Sequence, residues 1–189
     1  MMKDEIIISS ATPADAGALL EIYSHYVLNT AISFEYEVPG VDEFTRRIEH
    51  VLERFPYLAA RRGDEILGYA YAKAFHERKA YSWAVEVSIY VSKNARGLGL
   101  GRRLYEELEA QLKKQGVIHL VACVADPETE DEYLSHNSRN FHEHMGFELF
   151  GKFRRCGHKF GRWYNMLWLS KQINGFTEPQ PDVIPLREI

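Results

Sequence analysis

A glycine-rich turn between two apolar segments constrains this fold more than any other feature of the sequence. The turn, NARGLGLGRRL (94–104), follows a segment rich in β-forming residues, AYSWAVEVSIYV (80–91). After the turn, leucine recurs at every fourth position, which predicts an amphipathic helix over 99–115. A near-continuous apolar run, IHLVACVA (118–125), then predicts a strand buried on both faces. Strand, helix and strand together predict a βαβ unit with parallel strands.

The turn has the composition of an anion-binding loop. Backbone N–H groups at the start of a helix lack intrahelical acceptors, and the helix dipole favours negative charge there. Glycines at 97, 99 and 101 let the backbone approach a ligand closely, and arginines add positive charge at 96, 102 and 103. A glycine pair alone is typical of a simple turn. Glycines, arginines and the strand–helix context together favour phosphate binding.

Two common phosphate motifs do not fit this loop. The Walker pattern GxxxxGK[ST] fails because the loop runs into Arg102 and Arg103, with no Lys-Ser or Lys-Thr. The dinucleotide pattern GxGxxG fails because its third glycine would have to stand at Arg102 or Leu104. These mismatches disfavour an NTPase and a dinucleotide-binding domain.

The rest of the chain predicts hairpins and helices around the βαβ unit. Helices are predicted over 12–28, where Thr12 is a plausible N-cap, over 41–54 and over 138–145. Further strands are predicted over 5–9, 57–63 and 66–76, with two more between 147 and 171. We expect a single domain over 1–173, followed by an extended tail over 174–189.

Composition argues against several classes of protein. The chain has 189 residues, 46% of them hydrophobic, and a net charge of −4, which gives no support for general nucleic-acid binding. Its two cysteines, Cys123 and Cys156, lack CxxC spacing, so we expect neither a disulfide scaffold nor a metal site. The N-terminal segment does not resemble a signal peptide, and no apolar run reaches about 20 residues. We therefore expect a cytoplasmic protein that does not enter a membrane.

The loop and three longer segments resemble the GNAT family of N-acetyltransferases. The sequence Arg96-Gly97-Leu98-Gly99-Leu100-Gly101 is similar to the family's acetyl-CoA pyrophosphate loop. GYAYAKAFHERKAYSWAVEVSIYV, NFHEHMGFELFGKF and GHKFGRWYNMLWL resemble the phosphinothricin/methionine-sulfoximine acetyltransferase branch, over roughly residues 5–170. This resemblance implies an α+β (GNAT) fold: a mixed, mostly antiparallel sheet of about seven strands flanked by helices, with a central βαβ acetyl-CoA unit. It also implies an acetyl-CoA-dependent enzyme that acetylates the amine of a small amino acid or analogue.

The resemblance implies a cofactor site along one strand and the loop. In the family, the strand before the loop separates from its parallel neighbour at a bulge and pairs with pantetheine, here through Ile89, Tyr90 and Val91. The pyrophosphate would be held by Arg96, Gly97, Leu98, Gly99, Leu100, Gly101 and Arg102. Asn137, Ser138 and His144, at the last helix, would contact the far side of the cofactor. The family's asparagine three residues before the helix serine is replaced here by Ser135.

Glu86, in AVEVS, matches the family's glutamate on this strand. An amine must lose a proton before it attacks a thioester, so a carboxylate general base is useful. The alternative is a structural glutamate in a salt bridge, since buried glutamate is rare unless it is paired or functional. Direct attack needs no acyl-enzyme, and Cys123, on an apolar strand, is expected to be inert. Tyr133 is a candidate general acid for the thiolate, or else an aromatic residue in a solvated loop.

The acceptor site is expected at the loop SFEYE and the turn FHERK. Phe34 and Glu35 match the family loop, and Glu35 would receive the substrate ammonium. Arg78, through a bidentate fork, and His76 would hold a carboxylate. A solvated charged turn explains HERK equally well. The expected substrate-binding set is Phe34, Glu35, His76, Arg78, Glu86, Val87 and Ser88. The KFGRW residues Lys159, Arg162 and Trp163 fit either a site or a packed strand corner.

Other acceptors and roles are compatible with the sequence. A polyamine acceptor would need an acidic mouth, which DPETEDE (126–132) supplies, and protein N-termini or lysines are further candidates. The alternative to an enzyme is a CoA-binding sensor without chemistry, against which the presence of Glu86 argues. Because relatives are commonly homodimers, we expect a homodimer that binds a small-molecule amine and neither nucleic acid nor membrane.

Overall fold

The computed structural model describes residues 5–188. Its helices are α1 (Ala16–Asn29), α2 (Val41–Leu52), α3 (Leu100–Gln115) and α4 (Asn137–His144). Its strands are β1 (Ile6–Ser10), β2 (Tyr57–Arg62), β3 (Glu65–Ala74), β4 (Ala84–Val91), β5 (His119–Asp126), β6 (Glu148–Lys159) and β7 (Arg162–Gln172).

The strands form one sheet in the order β1-β2-β3-β4-β5-β7-β6. Neighbouring strands pair antiparallel except β4 and β5, which run parallel and are connected through α3. Within the described chain, the parallel ladder pairs only Ala84–Glu86 with His119–Val121. Beyond Glu86 the two strands diverge: β4 stays paired with β3, and β5 stays paired with β7. This mixed, mostly antiparallel sheet with its βαβ unit confirms the predicted α+β fold.

Side chains of β4 alternate between the two layers of helices. Val85 and Val87 are buried in the core that also contains the leucine row of α3. On the opposite face, the Tyr90 ring packs edge-on against Tyr23 of α1, with ring centroids 5.0 Å apart. Helix α3 therefore covers one face of the sheet, and α1 and α2 cover the other. Glu86 shares the face of Tyr90.

Two local predictions around β4 differ from the structure. The strand begins later than predicted, at Ala84, because Lys79–Tyr81 forms a 3₁₀ turn whose Tyr81 ring packs against Phe75. The bulge implied by the family resemblance is not found along the described part of β4. Its register with β3 runs unbroken from Val85 to Val91. β4 and β5 separate where their pairing ends after Glu86, and neither the β3–β4 ladder nor the β5–β7 ladder contains an extra residue.

The C-terminal segment 174–188 is extended, yet it is bonded to the domain. The Gln115 side chain, at the end of α3, donates to the carbonyls of Ile184 (2.8 Å) and Arg54 (2.7 Å). The Trp83 indole N–H donates to the Pro181 carbonyl at 2.7 Å. The division into a domain over 1–173 and a tail stays a prediction, but the described tail residues brace the C-terminal end of α3.

Candidate active site

A cleft with a volume of about 630 Å³ opens where β4 and β5 diverge. Its apolar lining includes Ile32, Ile89, Val91, Leu100, Phe141 and Met145. Its polar and glycine lining includes Arg96, Gly97, Gly99, Gly101, Arg102, Ser135, Asn137, Ser138 and His144. The structure thus brings together most of the residues expected to hold a cofactor. Of the others, Leu98 is exposed on the loop, and the Tyr90 side chain points to the opposite face of the sheet.

The glycine loop presents free backbone N–H groups at the start of α3. Gly97 and Gly99 have φ of 80° and 71°, a left-handed conformation that favours glycine. Gly99 is the N-cap and has no side chain to cap the helix. The first bond of the helix runs from the Arg103 N–H to the Gly99 carbonyl at 3.3 Å. The N–H groups of Leu100, Gly101 and Arg102 therefore have no acceptor within the helix.

The arginines of the loop have different partners. Arg102 donates to Nε2 of His144 at 2.7 Å, which links α3 to α4 beside the cleft. Because a guanidinium can only donate, Nε2 of His144 is the acceptor of this bond. Arg103 donates to the Ile6 carbonyl on β1 at 2.6 Å, so its charge lies outside the cleft. Arg96 and Arg102 are the arginines of this loop that line it.

Tyr26 of α1 is a cleft residue that the sequence did not reveal. Its hydroxyl donates to the Val91 carbonyl at 2.6 Å and accepts from the Val91 N–H at 3.2 Å. The Ser92 N–H donates to the Leu67 carbonyl beside β3. Backbone groups of successive residues point to opposite edges of a strand, so those of Ile89 and Val91 point towards the gap between β4 and β5. Because the Tyr26 hydroxyl already bonds both backbone groups of Val91, Ile89 is the better candidate for a backbone contact to a ligand.

A second cavity, of about 430 Å³, lies on the other face of β4. It contains the predicted residues Glu35, Glu86 and Ser88, and an aromatic lining of Tyr23, Phe44, Tyr57, Tyr69, Tyr71 and Tyr90. Arg47 and Lys73 also line it, and neither was predicted. Glu86 is the residue at which the described β4–β5 ladder ends. Its carboxylate lines this second cavity and does not line the cleft.

Three ion pairs, made by two cations, set the charge of the second cavity. Lys73 lies opposite Glu86 in the β3–β4 register, and its Nζ is 3.1 Å from Oε1 of Glu86. Burial alone would lower the pKa of Lys73, but the Glu86 carboxylate raises it above the ordinary value, so the lysine is charged. Arg47 bonds to Glu35 at 2.7 Å and to Glu43 at 2.5 Å. Glu86 is thus salt-bridged, as the structural alternative expected, and also faces a cavity.

Several predicted substrate residues lie away from this cavity. The expectation that Val87 lines it is wrong for the side chain, because strand alternation places Val87 in the core on the α3 side. His76 and Arg78 lie on the exposed turn after β3, where the His76 ring packs against Tyr81 with centroids 5.0 Å apart. Their exposure and their absence from the cavity lining make the HERK turn a surface feature in this structure.

The loop carrying Phe34 and Glu35 is fastened to the β6–β7 hairpin. Phe34 packs directly on Gly157, where an added Cβ would overlap its ring. The Tyr36 hydroxyl donates to the His158 carbonyl. Lys159, only 2% exposed, donates to the carbonyls of Val27 (2.7 Å), Thr30 (2.9 Å) and Ser33 (2.7 Å). Lys159 is therefore part of a packed corner that fixes the loop.

Two other candidate groups, Cys123 and Tyr133, are held in inactive states, and His142 is buried with both ring nitrogens bonded. Burial, together with the nearby Glu86 carboxylate, raises the pKa of the Cys123 thiol to about 12, which fits the expected inert cysteine. Tyr133 stacks on Phe160 at 4.2 Å between centroids, and this contact favours the packing alternative over an acid. His142 is buried, and burial lowers its pKa. Its Nδ1 donates to the Ser138 carbonyl at 2.7 Å, so Nε2 accepts from the Tyr105 hydroxyl at 2.9 Å.

Residues 5–188 contain no cluster of three or more His, Cys, Asp or Glu side chains arranged to hold a metal ion. Among the helices of this range, none has the length and apolar character needed to cross a bilayer.

Free N–H groups that suit a diphosphate, beside a carboxylate that faces a second cavity, are typical of an acyltransferase with a nucleotide-bearing cosubstrate. Comparison with known proteins identifies the family. Residues 8–168 match the family described as "Acetyltransferase (GNAT) domain", and the chain belongs to this family. It is therefore an N-acetyltransferase, as the sequence motifs implied.

Similar proteins cover nearly the whole chain. A phosphinothricin N-acetyltransferase of Streptomyces viridochromogenes is 31% identical over 182 residues, covering 96% of this chain and 95% of the relative. An L-amino acid N-acyltransferase of Escherichia coli is 30% identical over 173 residues, covering 91% and 96%. A phosphinothricin acetyltransferase from Sinorhizobium meliloti, solved in complex with AcCoA, is 30% identical with a TM-score of 0.85, covering 97% and 96%.

Proposed function

We propose that this protein transfers an acetyl group from acetyl-CoA to the α-amine of a small amino acid or amino-acid analogue. The observation that carries the proposal is the position of Glu86, at the end of the β4–β5 ladder with its carboxylate in the second cavity. The printed names of the relatives, which include phosphinothricin and L-amino acid acyltransferases, support this acceptor class.

The cleft residues fit acetyl-CoA. Uncapped N–H groups of Leu100, Gly101 and Arg102 suit the pyrophosphate, and Arg96 and Arg102 add positive charge. The apolar lining and the Ile89 backbone suit the pantetheine arm. Asn137, Ser138 and His144 lie on α4, so they would contact the cofactor from the side facing α3. The pyrophosphate and the pantetheine arm thus each have chemically matched groups in the cleft.

Glu86 would act as the general base. Acetyl-CoA supplies the thioester, whose C–S bond breaks as the amine nitrogen forms the C–N bond. Glu86 accepts a proton from the substrate ammonium, directly or through water, so that the nitrogen lone pair becomes available. A second nitrogen proton balances the departing thiolate, and one proton is released to water overall. Cys123 takes no part, because its thiol stays protonated.

The charges of the second cavity argue against a polyamine acceptor. Lys73 and Arg47 both line this cavity and are paired with Glu86 and Glu35, so the cavity offers no surplus of negative charge to a molecule that carries several positive charges. The acidic segment 126–132 is committed elsewhere: Asp131 and Glu132 bond to Arg162, and Asp126 bonds to His136 and Lys152. An amino acid, with one positive and one negative charge, suits the cavity better.

The test is release of CoA thiol from acetyl-CoA with a panel of amines. We expect turnover with at least one small amino acid or analogue, and a loss of about 10²–10⁴-fold in kcat for Glu86→Gln. Glu107→Gln, an exposed carboxylate on α3, is the matched control and should match the wild type. Cofactor binding without turnover across the panel would refute the proposal. Equal activity in Glu86→Gln would remove Glu86 as the base.

We also propose a cytoplasmic homodimer. β6 is an edge strand of the sheet, and its Phe150 and Phe153 are 57% and 66% exposed, which favours burial against a second copy. Light scattering should give twice the mass of one chain, and Phe153→Glu should lower that mass. A wild-type protein that stays monomeric at micromolar concentration would contradict the dimer. Cell fractionation tests the location.

A further inference from the structure

The ion pair between Lys73 and Glu86 conflicts with the use of Glu86 as a base. A carboxylate that accepts a hydrogen bond from an ammonium is a poorer acceptor for a second one. Nζ of Lys73 lies 3.1 Å from Oε1 of Glu86, and the two side chains are 49% and 22% exposed. Lys73 therefore competes with an incoming ammonium for the Glu86 carboxylate.

The pair lies within the cavity, where an acceptor can reach both charges. Lys73 and Glu86 face each other across the β3–β4 ladder, and both line the second cavity. The pair is partly exposed to solvent, and such ion pairs add little to stability, so an incoming charged group can separate it. An α-amino acid carries an ammonium and a carboxylate on the same carbon atom. Such a molecule can replace both halves of the pair at once.

We propose that Lys73 binds the α-carboxylate of the acceptor, while Glu86 takes its α-ammonium. The acceptor zwitterion exchanges with the internal ion pair, so no charge is left unpaired at any stage. This inference rests on the proposed function and specifies how its substrate class is selected. Lys73 thereby takes the role that the sequence assigned to His76 and Arg78, which lie on the surface turn.

Arg47 is the other cation of the cavity, and its contacts make it the weaker candidate. It is bonded to two carboxylates, Glu35 at 2.7 Å and Glu43 at 2.5 Å, and their charges raise its pKa despite partial burial. Binding a third carboxylate would place three anions around one guanidinium. Lys73 has a single carboxylate partner among the described residues, and its flexible stem and three N–H donors suit an exchange.

The experiment compares an amino acid with its own carboxamide, which keeps the α-amine and lacks the carboxylate. The probe is whichever amino acid the wild-type protein acetylates fastest. For Lys73→Met we expect KM for the amino acid to rise about 10- to 100-fold, the range for losing one charge-assisted contact. KM for the carboxamide should stay unchanged or fall. Lys73→Arg should restore most of the preference for the amino acid.

Lys79→Met is the matched control, since Lys79 is an exposed lysine on the turn before β4. Acetylation of the amino acid and of the carboxamide both need Glu86. An indirect effect of the Lys73 variant on Glu86 would therefore change KM and kcat alike for the two probes. Equal changes for amino acid and carboxamide, or no change for either, would overturn the role of Lys73 while leaving the proposed function intact. A wild-type protein that acetylates no amino acid would overturn both.

Discussion

Replacing Lys159 with methionine should destabilise the protein by about 3 kcal/mol. Lys159 ends the β6 strand, yet its ammonium caps the C-terminal end of α1, a helix with no basic residue in its own last turn. It donates to carbonyls of Val27, Thr30 and Ser33 at 2.7–2.9 Å. Methionine has a similar length but cannot donate, so three acceptors lose their partner.

The expected loss of stability in Lys159→Met is the balance of opposing contributions to the free energy of unfolding. A buried acceptor without a donor costs about 1–3 kcal/mol, and a cation at a partly buried helix C-terminus contributes up to about 2 kcal/mol. Burying the charge is itself unfavourable, so removing it offsets part of this loss. A net loss of about 3 kcal/mol corresponds to a decrease in Tm of about 6–12 °C for a chain of this length.

Calorimetry measures the stability, and steady-state kinetics reports the effect on the site. Because Lys159 fixes the loop of Phe34 and Glu35, KM for the acceptor should rise several-fold, whereas KM for acetyl-CoA should not change. Lys114→Met, an exposed lysine on α3, is the matched control. A Lys159→Met protein that melts within about 1 °C of the wild type would refute the reasoning about the capped helix.

Two further variants test the glycine loop and the buried histidine. Gly99→Val puts a β-branched residue at φ 71°, a strain of about 1–2 kcal/mol, so calorimetric titration should show at least about tenfold weaker acetyl-CoA binding. Gly63→Val has similar strain (φ 57°) in the β2–β3 turn and should bind normally; unaltered affinity in Gly99→Val would count against the loop. Burial lowers the pKa of His142 in the folded state below 6.5, the ordinary value that applies to the unfolded state. Between these two pKa values the unfolded state binds more protons, so the free energy of unfolding falls as the pH drops through that window. Denaturation at several pH values should show a shallower fall for His142→Asn than for the wild type, by at most about 1.4 kcal/mol per pH unit. Equal slopes in the two proteins would contradict this reasoning.

Local patterns predicted the elements that depend on neighbours in sequence. The leucine row of α3, the apolar run of β5 and the glycines between β4 and α3 each have a physical signature within a few residues, and the βαβ unit follows from them. The start of β4 was predicted too early because Tyr81 and Trp83 are typical strand residues. Their rings instead pack a turn and bond the tail, which are tertiary contacts.

The parts of the site that the sequence missed depend on register and long-range contacts. Lys73 faces Glu86 only because β3 and β4 pair in one particular register, and a shift by one residue would move it to the other face. Tyr26 reaches Val91 across 65 positions of the chain, and Lys159 reaches Val27 across 132. His76 and Arg78 were assigned by resemblance, which gives residue types but not the direction of a turn.

The short β4–β5 ladder divides the sheet into two parts. Strands β1 to β4 form one part and strands β5 to β7 the other, and three residue pairs connect them. A ligand that binds the cleft of the folded chain, along Ile89 of β4 and the start of α3, stabilises the fold by about 2.7 kcal/mol at a hundredfold excess over Kd. Slowed amide exchange in β4 and β5 is the signature of that coupling, and it ties the lifetime of the fold to supply of the cosubstrate.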